Sequence, residues 1–108
     1  MGQYFIDEED LRNKEISPGI KIKVISGEKL MLSFVEISEG AGMLQHSHPY
    51  EQAGIVLEGE IEIVIGTESR RLEHGQSYFI PANVPHMLRP GKQARILDVF
   101  SPPREDYL

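Results

Sequence analysis

Hydrophobic residues in this chain fall in short runs where every second position is apolar or where β-branched residues cluster: "IKIKVI" (20–25), "LMLSFVEI" (30–37), "AGIVLEGE" (53–60), "IEIVIG" (61–66), "SYFIP" (77–81), "HMLRP" (86–90) and "ARILDVF" (94–100). A period of two over four to eight residues predicts half-buried strands. Between the runs lie "SGEK", "EGAG", "GTES", "EHGQ", "PANVP" and "PGK", rich in residues that accept tight turns or positive φ. Strand, turn and strand at this spacing predict an all-β fold, a small and mostly antiparallel barrel or sandwich. No segment keeps a helical apolar period for more than about two turns. "DEEDLRNKE" is expected to form at most one turn beside a solvated acidic face. Both ends, "QYFI" and "VFSPPREDYL", carry apolar and aromatic residues that a disordered tail would not need. Both are expected to pack, against the barrel or across a dimer interface.

A length of 108 residues with 40% hydrophobic content suits one core, so a single domain over 1–108 is expected. No run approaches the roughly 18 apolar residues that cross a bilayer. "MGQYFIDEED" lacks the basic start and apolar stretch of a signal peptide, and Ile6 stands where a myristoylation signal needs Ser or Thr. The expectation is a soluble, cytoplasmic protein. With no cysteine, any metal must be held by nitrogen and oxygen. A formal charge of −6 without a basic cluster argues against nucleic acid and anionic membranes as partners. An anionic substrate would need local arginines. Edge strands and apolar sheet surface on so small a barrel make a homodimer the expected assembly.

Three histidines change the picture. His46 and His48, two apart, share a face if one strand runs through them, and Gln52 keeps that parity while Glu51 does not. His86 follows the Pro-bounded turn "PANVP" and opens another strand, where it can meet the first set inside a barrel. Three imidazoles and one amide oxygen are expected ligands for one divalent transition metal, with Zn, Ni, Fe, Mn or Cu all compatible. Four ligands from one side leave coordination positions free for a guest. His74, before the turn glycine Gly75, is expected to face water.

These positions resemble the motifs of the cupin superfamily. The first motif is glycine, five residues, His-x-His, three or four residues, glutamate, six residues and glycine; here it runs Gly40, His46, His48, Gln52, Gly59. The second runs Gly75, Pro81, Asn83, His86 and Pro90, with Asn83 in a turn-glycine position and Pro90 in an asparagine position. The resemblance implies a small β-barrel of the double-stranded β-helix, or jelly-roll, kind. Asn tolerates a left-handed turn better than most side chains. Gln52 in place of glutamate leaves the full +2 on the ion, a stronger Lewis acid toward an anion.

Downstream, Ile96, Asp98 and Phe100 share a strand face. A carboxylate between apolar neighbours is costly unless it is bonded or working. A salt bridge to Arg89 or Arg95 is the structural alternative. Arg104 follows Pro102 and Pro103, a stiff arm able to bring its fork over the barrel mouth; pairing with Glu105 or Asp106 is the alternative there. This tail and "HSHPYEQ" resemble a narrower group of single-domain cupins, the pectin-degradation proteins acting on 4,5-unsaturated uronates, many of which have His-Pro-His where this chain has His48-Pro49-Tyr50. That resemblance implies metal ligands at His46, His48, Gln52 and His86, catalytic roles for Asp98, Phe100 and Arg104, and a small anionic sugar acid as substrate. The expected reaction is metal-dependent ring opening and ketonisation of such uronates. The alternatives are a metal-dependent dioxygenase and a non-catalytic sensor for a small ligand.

Overall fold

A computed structural model describes residues 4–108. Among them nine strands follow in order: β1 Lys14–Ser17, β2 Ile20–Ser26, β3 Met31–Ile37, β4 Met43–His46, β5 Glu51–Ile65, β6 Glu68–Glu73, β7 Ser77–Ile80, β8 His86–Arg89 and β9 Ala94–Ser101. Single 3₁₀ turns at Glu8–Asp10 and Glu105–Tyr107 are the only helical elements among the described residues. Every strand pair is antiparallel. The fold is therefore the curled all-β architecture that the alternation predicts.

β5 is its spine. The two predicted runs at 53–60 and 61–66 form one strand, yet their partners differ. Residues 51–59 pair with β9, and 52–55 also with β7, whereas 60–65 pair with β6 and 62–65 with β8. The change of sheet falls at Gly59, which has φ +77°, just after a register shift between Val56 and Glu58. A Cβ there would lie 2.3 Å from the carbonyl oxygen of Gln93, so only glycine lets β5 turn this corner. One face of the curl carries β1, β2, β3, β9, the first half of β5 and β7, and the other carries β4, β8, the second half of β5 and β6.

Ile20, Ile22, Val56, Ile63, Ile80 and Ile96 fill the space between, all buried. Burying such a side chain stabilises the fold by about 1.5–3 kcal/mol before entropy is counted. Three strands escape the hydrophobic pattern. β6 is "ESRRLE" with only Leu72 buried, while β1 and β4 are four residues each with none fully buried. Asn83 adopts φ 68°, as its turn position requires. No helix among the described residues is long and apolar enough to cross a membrane.

The two ends behave differently. Tyr107 packs against the core and edge-to-face on Phe100, with ring centroids 5.6 Å apart. Tyr4 and Phe5 are each 90% exposed, so the expected packing of the N-terminal segment does not occur within the chain. Gln3 lies outside the described residues.

Candidate metal centre

His46 ends β4 and His86 opens β8, and the two stand opposite each other in the ladder. The strand does not run on from His46 as the parity argument supposed. His48 lies in the connection to β5, where its carbonyl accepts a hydrogen bond of 2.7 Å from the Asn83 N–H. The "PANVP" turn thus anchors the loop that carries His48. Gln52, second in β5, is buried while Glu51 is exposed, so alternation within β5 itself turns Gln52 inward even though no strand runs to it from His46. The rings of His46, His48 and His86 converge with centroids 4.3, 4.9 and 5.9 Å apart, and one nitrogen from each lies within 4.8 Å of the others. His74 faces water.

Each imidazole is oriented by a carbonyl two residues away. Nδ1 of His46 bonds the Leu44 oxygen at 2.8 Å, that of His48 the Tyr50 oxygen at 3.2 Å, and that of His86 the Val84 oxygen at 2.9 Å. A carbonyl only accepts, so Nδ1 carries the proton and Nε2 keeps its lone pair. Burial, aided by Arg104 and His46, holds His48 below the ordinary imidazole range; burial does the same for His86 against the Val84 bond. Both rings are therefore neutral near pH 7, the form that binds a metal.

The donor atoms then point to an ion. His86 Nε2 is buried with no hydrogen-bond partner, a cost of about 1–3 kcal/mol for a polar group left alone. His48 Nε2 stands 3.1 Å from Gln52 Oε1. With the ring proton on Nδ1, that is a lone pair facing a lone pair, which a cation between them resolves. The opposite amide orientation would turn the Gln52 oxygen toward the Asp98 carboxyl, whose charged form the Gln52 NH₂ favours. The residues present fit a divalent ion held by His46, His48, His86 and the Gln52 oxygen.

Asp98 shares the chamber. Burial pushes its carboxyl up to about 6, against the hydrogen bonds from Tyr78 and Gln52 and the charge of Arg104. Neither expected arginine pairs with it, because Arg89 bonds Glu62 at 3.4 Å and Arg95 bonds Glu8 at 2.8 Å. The Tyr78 hydroxyl donates to Asp98 Oδ1 at 2.5 Å instead. Arg104 turns back over the mouth as the Pro-Pro arm suggested, with Cζ 4.0 Å from the Tyr107 ring centroid and 5.2 Å from that of Phe100. Part of its fork is already taken, as Nε and Nη2 donate to Asp106 at 3.1 and 2.7 Å. Phe100 is 1% exposed and packs edge-to-face behind His48, with centroids 5.9 Å apart. It braces a ring of the cluster.

A cupin domain model matches residues 33–100. This chain belongs to the cupin family. Over its whole length the cupin is 36% identical to the full length of the pectin degradation protein KdgF of Dickeya dadantii. Among solved structures it resembles KdgF from a Halomonas species, at 31% identity and a TM-score of 0.87, with 100% of each chain covered. It also resembles an RmlC-like cupin from Shewanella frigidimarina, at 28% identity and a TM-score of 0.92, covering 99% of this chain and 97% of that one.

In this cupin His46, Gln52, His86, the Asp98 carboxyl and the Arg104 guanidinium line one chamber. Its free interior is about 50 Å³, room for an ion and a few waters at roughly 10–15 Å³ each. A larger guest must extend through the mouth past Arg104 and Tyr107. Two site residues escaped the sequence reading, Tyr78 and Tyr107. Strand parity does place Tyr78 inward beside Ile80, and a buried phenol needs a hydrogen-bond partner, so a signal for Tyr78 was present.

Proposed function

We propose that this cupin opens and ketonises 4,5-unsaturated uronates of the kind released by lyases from pectin or alginate, with a divalent transition metal held by His46, His48, Gln52 and His86. The observation that carries the reading is the shared chamber, in which Gln52, its oxygen 3.1 Å from His48 Nε2, lies between the histidine cluster and the Asp98 carboxyl. One amide thereby sets a proton-carrying acid beside the position of a cation. Full-length similarity to two KdgF proteins supports the substrate class.

The ion, when bound, supplies undiminished positive charge that favours an oxyanion. Asp98 takes the proton of the anomeric hydroxyl as the bond from C1 to the ring oxygen breaks, leaving an aldehyde at C1 and an enolate at C5. Return of that proton from Asp98 to C4 converts the enolate to a ketone, and no atom is gained or lost. Burial raises this carboxyl above its ordinary range, which suits it to give a proton back as well as to take one. Phe100 acts through His48 as a positioning residue. Arg104 keeps its two Nη1 protons and one on Nη2 for the substrate carboxylate.

The test follows loss of ultraviolet absorbance of unsaturated uronates with the metal-loaded protein, against the spontaneous rate. Acceleration dependent on metal is expected. No acceleration on any unsaturated uronate would defeat the reading. Arg104→Met is expected to raise KM about 10–100-fold, as a charge-assisted hydrogen bond contributes about 1.5–3 kcal/mol. A fall in kcat at unchanged KM would show instead that Arg104 does not grip the ground-state carboxylate.

A further inference from the structure

Tyr78 on β7, Gly54 on β5 and Asp98 on β9 form one row across three adjacent strands, since Gly54 is the ladder partner of both others. Strands lie about 4.7–4.9 Å apart, so two residues flanking a third strand normally cannot touch. Here the middle residue has no side chain. A Cβ at position 54 would lie 2.2 Å from Tyr78 Cζ, 2.3 Å from its hydroxyl and 2.4 Å from Asp98 Oδ1. The Tyr78 ring therefore crosses over β5 through the gap at Gly54, and its hydroxyl meets Asp98 Oδ1 at 2.5 Å. That length falls in the range of charge-assisted O–H···O bonds. On the opposite flank Ser33, the ladder partner of Asp98 on β3, buries a hydroxyl that has no hydrogen-bond partner. Position within the row is thus not enough to hold the carboxyl; the tyrosine does it.

We propose that Tyr78 is a positioning residue that reaches Asp98 through the gap at Gly54 and fixes its carboxyl for proton transfer. The inference rests on the reading of Asp98 as the proton carrier. Phenylalanine would fill the same core space, so the hydroxyl is what the site requires. With Oδ1 held from the β7 side by the Tyr78 hydroxyl, the carboxyl is kept turned to the chamber that it lines.

The test uses Tyr78→Phe in the full chain, loaded with metal. Expected are a kcat lower by about 10–100-fold, the range in which misplacing a reacting group is felt, and KM and metal content unchanged. A proton resonance far downfield of the amides, from the short O–H···O bond, is expected in the wild type and absent from the variant. Should Tyr78→Phe fail to fold, 3-fluorotyrosine placed at 78 keeps the ring, alters the phenol's acidity, and is expected to shift both the resonance and kcat. Full kcat in Tyr78→Phe overturns the role of Tyr78 and leaves the uronate reading standing. A wild type that turns over no unsaturated uronate overturns both, and a wild type without the downfield proton overturns the hydrogen bond on which Tyr78 acts.

Discussion

His86→Ala is expected to leave this cupin folded and unable to retain a metal. The ring being removed carries the buried Nε2 that no protein group satisfies, so its loss relieves an orphaned lone pair while opening a cavity. The two effects, about 1–3 kcal/mol for the polar group and a few kcal/mol for a cavity, oppose each other. Stability of the metal-free protein should therefore change modestly. The large effect lies in the loaded protein. Metal at 100 times its dissociation constant adds about 2.7 kcal/mol to the wild type, and the variant should gain nothing. Elemental analysis together with melting curves, with and without added Zn or Ni, measures this. His74→Ala, at an exposed turn, should match the wild type in both. Stoichiometric metal in His86→Ala would remove the three-histidine cluster from the account.

The strands most legible in the sequence are those with one buried face. β2, β3, β7, β8 and β9 sit within a residue or so of their predicted runs, because alternate apolar side chains must reach the core and a strand is the conformation that puts them there. β6 was invisible for the converse reason. Its backbone is held by the second half of β5, but five of its six side chains are exposed, so nothing in its hydropathy marks it. β5 was read as two runs, 53–60 and 61–66, where one strand continues; Gly59 is a corner within it, set by the approach of Gln93 that no local pattern reveals.

Much the same holds for the site. The spacing of His46, His48, Gln52 and His86 anticipated a convergence that the geometry provides, although His48 arrives from a loop pinned by Asn83 and not from a strand. The two-residue parity was the wrong reason for a correct meeting point. Asp98 stood out as a carboxyl on an apolar face, and its bond to Tyr78 did not, since residues 20 apart in sequence meet only through the register of three strands. Arg104 forms the pairing with Asp106 that was its structural alternative, and lines the chamber as well.

Asp98→Asn is expected to cost about 10²–10⁴-fold in turnover, the contribution of one placed proton carrier, with metal content intact because Asp98 is not among the converging donors. Stability should move the other way. Burial holds the carboxyl at about 6, above its ordinary 3.8, so in the metal-free protein between roughly pH 4 and 6 the folded chain binds more protons than the unfolded one. Under the linkage relation stability then falls as pH rises through that window, by an amount on the order of 3 kcal/mol, and stays level above it. Asparagine has no proton to lose and removes this decline. Melting temperatures of the chelator-treated proteins from pH 4 to 7 should diverge, the wild type dropping and the variant not. Full activity in Asp98→Asn would end its assignment as proton carrier, and parallel melting curves would mean that the buried carboxyl is not held near 6. A residue kept only for the fold would lose stability when replaced. One that loses turnover while relieving a cost at neutral pH is kept for chemistry, and this is the outcome that separates a working carboxyl from a buried polar relic of the barrel.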